Sequence, residues 1–474
     1  MFEGALGSAF KKNGFEVTLL QCGQFFKSCE TKSHFKDNQM TCSMCHEEFK
    51  HFKEAFGLES IKYEELISDT VKKEIETFVY SCDLTKVDSW KGYSIKDEWS
   101  SAVQRYYLSS NMHLSANPEI ARNFLFTTIS SFEAGRILKE DKKFTHLITS
   151  HGIYSTWGGV IAGFKAAGGN VTVWGRGYYN SGILSYKGGS FLNGLKHFMR
   201  GDFLDRLNPG NVESIKAYME SRWTLTNDND LIKYYDNKDP IKNNELSLPA
   251  GKKYIGFYPN IPWDGQVFVA TENYRGLRDV IESLMKFVAE NPEAHIIVRP
   301  HPYENPAKNP NIGERFMDLA AEYNLSEANG FSIIPYSSSI KSYDLAEMVN
   351  VNVLLAGTIG LEFAAKGFPV IQLGENISSN KGIFFEPKNY DELSGILTKL
   401  LFEEREKAFF DADLIKRNAL EWCAFFFKQA HLDDPFFKTK GTKMIGIKEQ
   451  VDEQLMQKYM EWVLSGEGLF YTKS

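Results

Sequence analysis

Five short apolar runs in the second half of the chain each end in polar residues, and these downstream ends hold the side chains best suited to chemistry. The first run is followed by Asn260-Ile261-Pro262-Trp263-Asp264, and the second by Arg299-Pro300-His301-Pro302-Tyr303-Glu304. The third leads into Tyr336-Ser337-Ser338-Ser339, the fourth into Gly357-Thr358-Ile359-Gly360 and then Leu361-Glu362, and the fifth into Gly374-Glu375-Asn376. A helix opening on Gly-Thr-Ile-Gly presents free backbone N–H groups and the positive end of its dipole. That suits a phosphate or diphosphate, and Thr358 adds a hydroxyl donor. His301, held between two prolines, is rigidly presented to hydrogen-bond or neutralise a phosphate oxygen, and Arg299 can do the same. Glu362, one turn into the helix, is placed to accept hydrogen bonds from ribose or sugar hydroxyls. Each feature alone also fits an ordinary turn or strand–helix junction. The succession of polar strand ends is what points to a ligand site.

A second cluster lies near the start: Cys22, Cys29, Cys42 and Cys45, with His34 and His46 interspersed. Four thiols in one short segment, the last two as Cys-x-x-Cys, have the spacing to surround a tetrahedral ion. Structural zinc is the default expectation; an iron–sulfur cluster, which also uses four thiolates, stays open as the alternative. Four thiolates leave no open position for a substrate, so such a site is structural. The competing reading is four unrelated reduced cysteines. Cys82 and Cys423 are isolated and expected to be packed.

The elements that must position these residues follow from periodicity. The first half predicts a helix over Ala5 to Lys12, a strand over Phe15 to Leu20, and an amphipathic helix over Pro118 to Lys139. After these come a strand over His146 to Ser150, a helix over Trp157 to Ala167 and a strand over Val171 to Trp174. A Rossmann-like domain ordinarily opens on a strand. Here a helix comes first, so either the first strand is absent or the chain start is placed late. A polar stretch from Thr226 to Gly251 reads as an interdomain connection. Beyond it, strands are expected at Tyr254 to Tyr258, His295 to Arg299, Ser332 to Pro335, Val351 to Ala356 and Val370 to Leu373, with helices in the gaps. The first of those helices carries Leu277, Val280, Ile281, Leu284 and Val288 on one stripe. Repeated strand–helix units of this size make a parallel sheet covered on both faces.

The block His295 to Glu304, the segment Tyr336 to Asp344 and the stretch Ala356 to Gly374 resemble the donor domain of bacterial capsule and surface-polysaccharide glycosyltransferases. Those are similar in outline to the GT-B architecture. The resemblance takes in the C-terminal domain and Asn260 to Asp264, and reaches the N-terminal half through the cysteine segment and Ser150-His151-Gly152-Ile153-Tyr154. It implies that His301, Thr358 and Glu362 hold a nucleotide-sugar, in a donor-binding set completed by Arg299, Glu304, Ser338, Ser339 and Gly360. Where such sequences often carry Ser-Thr at the helix start, this one has Gly357-Thr358. Donor domains of sugar epimerases and polyol-phosphate transferases use similar elements.

The expected fold class is therefore α/β and GT-B-like, with two Rossmann-like domains facing a cleft, a cysteine-rich insertion in the first, and a C-terminal helical segment. The expected domains are 1–235 on the acceptor side, 250–402 binding the donor, and 403–474 packing back across the first domain. The expected activity is glycosyl transfer from a nucleotide-activated donor to a glycan or lipid-linked glycan acceptor. A nucleotide-sugar epimerase and a non-catalytic nucleotide-sugar-binding assembly factor are the competing readings. No Asp-x-Asp motif stands at a strand end, which favours metal-independent chemistry with the helix dipole, His301 and Arg299 in the cation's role. His151, closing a strand of the first domain, and Asp264 are the two candidate bases; a histidine titrates near the pH at which it must act. Arg176, Tyr179 and Asn180, following the strand Val171 to Trp174, are candidates for the acceptor side.

The 474 residues exceed what one core usually serves. A formal charge of −7 argues against a general nucleic-acid binder, since such proteins offer phosphates a basic surface. No run approaches the roughly eighteen apolar residues that a bilayer-spanning helix needs. Met1 to Lys12 lacks the basic start, apolar stretch and cleavage site of a signal peptide. These features predict a cytoplasmic chain, peripheral at the inner membrane face if it joins an export or assembly complex.

Overall fold

The computed structural model describes residues 2–36, 38–177, 183–187, 198–224, 248–404, 406–440, 443–448 and 450–465. The chain divides into two compact units, Met1–Gly194 with His431–Ser474, and Leu195–Ala430. These divisions differ from the expected 1–235, 250–402 and 403–474. The helix Pro209–Thr224 belongs to the second unit, as does the helix Ala412–Ala424, and only the chain from His431 onward returns to the first.

In the first unit, α1 (Phe2–Lys12) precedes β1 (Thr18–Gln21), which pairs in parallel with β2 (Glu59–Lys62). Between them lies α2 (Asn38–Phe56), a helix with no buried residue. A second sheet holds β3 (His146–Ser150) parallel to β4 (Asn170–Arg176), which pairs antiparallel with β5 (Ile183–Lys187). The βαβ link between β3 and β4 is α4 (Gly159–Ala166), and it lies on α3 (Pro118–Glu140). Glycine allows that approach: a Cβ on Gly163 would sit 1.8 Å from the Phe132 carbonyl oxygen, and one on Gly135 would sit 2.2 Å from that of Val160. Proline at the first turn of α3 starts it without losing a hydrogen bond. The returning segment pairs Leu432 with Ile183 and ends in α8 (Glu453–Ser465). Its Tyr459, Met460 and Trp462 bury against Phe2, Leu6 and Phe10 of α1.

The second unit is an open, all-parallel sheet of β6 (Lys253–Phe257), β7 (Ala294–Val298), β8 (Phe331–Ile333), β9 (Val351–Leu354) and β10 (Val370–Gln372). Its spatial order is β8-β7-β6-β9-β10. The strands are thus laid outward from β6 in one direction and then outward from β9 in the other, and the order reverses between β6 and β9. Such a reversal opens a crevice at the carboxyl ends of the two strands. The expected stripe on α6 (Leu277–Glu290) is the buried one. Leu277, Val280, Ile281, Leu284 and Val288 pack with Ile255, Phe257, Ile296, Val298 and Val353 of the sheet. Among the described residues no helix is long and apolar enough to cross a membrane.

Candidate functional site

The loops after β6 and β9 meet at the reversal point. Asn260 follows β6, and its Oδ1 accepts the Ala356 N–H at 3.1 Å, joining the two strand ends. Gly357 comes next with φ at 137°, a conformation in which a side chain is strained, and it turns the chain into α7 (Ile359–Lys366). Thr358 is the residue before the first helical turn, and its hydroxyl makes no capping bond to that helix. The hydroxyl and the first N–H groups of α7 therefore share the crevice edge with Asn260, which suits a phosphate group. Gly360 serves another purpose. It is buried, and a Cβ there would press within 3.2 Å of Leu354 and 3.4 Å of Phe384, so it lets α7 lie close to the sheet.

The loop after β7 holds three of the expected donor residues. Arg299 is only 4% exposed, and its Nη1 donates to the Pro300 carbonyl at 3.4 Å. His301 Nδ1 accepts the Tyr303 N–H at 3.1 Å. Burial, reinforced by the Arg299 charge, pushes the His301 pKa down to about 4. The ring is consequently neutral near pH 7, with its proton on Nε2. From Nε2 it can donate a hydrogen bond to a phosphate oxygen. Ser338 Oγ accepts the Ile340 N–H at 3.2 Å and shapes the loop after β8; Ser339 beside it is half-buried.

Two expected donor residues are differently engaged. Glu304 is fully buried. Its Oε2 accepts the Tyr336 hydroxyl at 3.0 Å and the Phe316 N–H at 3.4 Å, while Oε1 meets no partner. Burial raises its pKa to about 8, so it stands as a neutral acid tying the loops after β7 and β8 together. Glu362 is 5% exposed, and one oxygen takes two hydrogen bonds from Arg222, from Nε at 3.0 Å and Nη2 at 2.8 Å. Its other oxygen takes the Tyr343 hydroxyl. The carboxylate expected to reach sugar hydroxyls is therefore committed within the unit. Arg222 comes from α5 (Pro209–Thr224), where Trp223 also stacks on Phe368 at 5.7 Å and Lys366 pairs with Glu220 at 2.6 Å. The position of Arg222, before the polar connection, gave no reason to assign it to this unit.

In the first unit His151 follows β3, as expected. It adopts a left-handed backbone with φ 62°, and its ring stacks on Trp157 with centroids 4.7 Å apart. Partial burial lowers its pKa below the ordinary 6.5. Arg176, at the end of β4, donates from Nη1 to the fully buried Asp434 carboxylate at 2.8 Å. It thereby fastens the returning C-terminal segment to the sheet, a structural task the acceptor-side reading did not foresee. Tyr179 and Asn180 lie outside the described residues. Asp264 belongs to the second unit and is exposed on the turn after β6.

The cysteines are all free thiols. Cys42 and Cys45 stand one helical turn apart on α2, Cys22 directly follows β1, and Cys29 lies 3.0 Å from the Thr31 hydroxyl. Partial burial raises the Cys45 thiol, as do its neighbours Cys22, Cys42 and Glu48. The expected tetrahedral set is not assembled, however: among the described residues no three His, Cys, Asp or Glu side chains are grouped to hold a metal ion. The spacing brings the thiols near one another, but ligand distance also depends on side-chain orientation. Cys423 is fully buried in the second unit, as expected.

No protein-family model and no curated protein matches the sequence. Among solved structures the chain is similar to the Thermosulfurimonas dismutans KpsC β-Kdo 2,7-transferase, with 14% identity over 69% of this chain and 89% of that one, at a TM-score of 0.38. It is also similar to the sucrose-phosphate synthase of Thermosynechococcus elongatus, with 12% identity over 97% and 91%, at a TM-score of 0.33. A third is the UDP-GlcNAc 2-epimerase of Methanocaldococcus jannaschii in complex with UDP-GlcNAc and UDP, with 12% identity over 62% and 79%, at a TM-score of 0.29.

Proposed function

We propose that this chain is a nucleotide-sugar-dependent glycosyltransferase of capsule or surface-polysaccharide synthesis, binding its donor at the carboxyl edge of the five-stranded sheet. The observation that supports this best is the meeting of Asn260, Gly357 and Thr358 at the reversal between β6 and β9. There the uncommitted Thr358 hydroxyl and the α7 N-terminus offer a diphosphate several hydrogen bonds without a metal ion. His301 adds a neutral Nε2–H donor to the leaving phosphate. Buried Arg299 supplies positive potential from behind, and Glu362 orients α7 through Arg222 and Tyr343. His151 is the base we assign to the acceptor hydroxyl, because its lowered pKa leaves it unprotonated at neutral pH; Asp264 is the alternative. The acceptor is a glycan or lipid-linked glycan, met in the cytoplasm or at the inner membrane face.

The test is a hydrolysis and binding screen over CMP-linked acidic sugars and UDP- and GDP-linked hexoses. Thr358→Ala is expected to weaken the donor that binds about ten- to a hundredfold, the worth of a hydrogen bond to a charged phosphate. Unchanged affinity in that variant would remove the proposed site. Conversion of the donor without acceptor would make the protein an epimerase. Glycan synthesis surviving both Thr358→Ala and His301→Ala would make it a non-catalytic factor. The base assignment has its own readout: kcat/KM should fall on the acid side with a pKa below 6.5, and this limb should vanish in His151→Ala while persisting in Asp264→Asn.

A further inference from the structure

The first unit contains a cavity of about 640 Å³ whose wall includes Cys22, Cys29, Cys42 and Cys45 together. The four thiols reach it from separate elements. Cys22 sits where β1 ends, and Cys42 and Cys45 stand three residues apart on α2, the spacing that puts two side chains on one helix face. Cys29 is held in place by its neighbour Glu30, whose carboxylate accepts the Thr156 N–H at 2.5 Å and the Thr156 hydroxyl at 2.8 Å. That anchors the loop to the turn after β3. Convergence of four thiols from three parts of the chain on one cavity is more than a Cys-x-x-Cys spacing requires.

The helix α2 is the exposed element of the group. It runs for 19 residues with none of them buried, and Met40 and Met44 are exposed. Its C-terminal Phe52 and Phe56 rings lie against Gly4 of α1, and further along it turns Cys42, Cys45, His46, Glu48 and Phe49 to the cavity.

We propose that Cys22, Cys29, Cys42 and Cys45 bind one structural zinc ion that clips α2 to the end of β1 and to the Cys29 loop. Zinc–thiolate bonds of about 2.3 Å require the thiols to draw inward from where they stand. Four thiolates complete the tetrahedron, so the ion has no open position and takes no part in sugar transfer. The site is independent of the donor crevice, and its failure would leave the transferase reading untouched.

The experiment is elemental analysis of the full chain purified without chelator, expected to give about one zinc per chain, with no iron and no acid-labile sulfide. The paired variant Cys42→Ser/Cys45→Ser is expected to lose the zinc, and Cys82→Ser to keep it. Where the paired variant does not fold, cobalt(II) added to the chelator-stripped wild-type chain reports instead. A thiolate-to-cobalt charge-transfer band with tetrahedral ligand-field absorption supports the site. Iron with sulfide, a folded metal-free chain that ignores cobalt, or zinc retained in the paired variant would each overturn it.

Discussion

Arg222→Ala is expected to destabilise the second unit by about 3–5 kcal/mol, because it strands the Glu362 carboxylate in a buried site with its positive partner gone. The geometry leaves little room for water to substitute. The side chains of Arg222 and Glu362 are 15% and 5% exposed, and the guanidinium reaches the same oxygen from both Nε and Nη2. Removing one partner of such a pair exposes the desolvation cost that their mutual attraction offsets, whereas removing the charge from both sides does not. Arg222→Met combined with Glu362→Gln is therefore expected to recover most of the loss, since a glutamine carbonyl still accepts the Tyr343 hydroxyl. Urea denaturation of wild type, Arg222→Ala and the double variant measures the loss and its recovery. A single variant within about 1 kcal/mol of wild type, the range of an exposed ion pair, would show that the pair is solvent-screened and contributes little.

The second large effect concerns Glu304 and pH. Its folded pKa of about 8 lies well above the ordinary 4.5, so the folded chain binds a proton that the unfolded chain releases between those values. The stabilisation from this group is fully present below about pH 4.5 and declines as pH rises through 8, at about 1.4 kcal/mol per unit, reaching several kcal/mol in all. Glu304→Gln keeps the acceptor for Tyr336 and Phe316 but has no proton to lose. Its stability relative to wild type should grow steadily from pH 5 to pH 8 and level off above. Denaturation midpoints for the two proteins running parallel across that range would mean that the carboxyl is ionised in the fold. His301 behaves in the opposite sense. Its depressed pKa withdraws stability as pH falls from 6.5 toward 4, so the second unit is held between an acid-side and an alkaline-side loss.

These two carboxylates also mark the boundary of what sequence can say. The positions of the five strands, the stripe on α6, the polar strand ends and the glycine at the start of α7 were all legible, because each depends on local period, turn chemistry or the conformational freedom of one residue. His151 after β3 was placed by the same logic. Whether an acid at a strand end faces a ligand or the protein's own interior is decided by a residue far away in the chain. Glu362 meets Arg222 across 140 residues, and Glu304 meets Tyr336 across 32. Arg176 finds Asp434 across 258. No periodicity encodes such pairings. They form because a buried charge or polar group must find a partner in whatever the fold brings beside it. The same holds for the cysteines: their spacing announced a cluster, but only the packing of β1, α2 and the Cys29 loop around one cavity decides which thiols can share an ion. The sequence by itself determined the alternating α/β elements and the residue types at their ends. The tertiary structure decided the strand order that puts Asn260 beside Gly357 and Thr358, and it separated the side chains turned to that crevice from those consumed in holding the unit together.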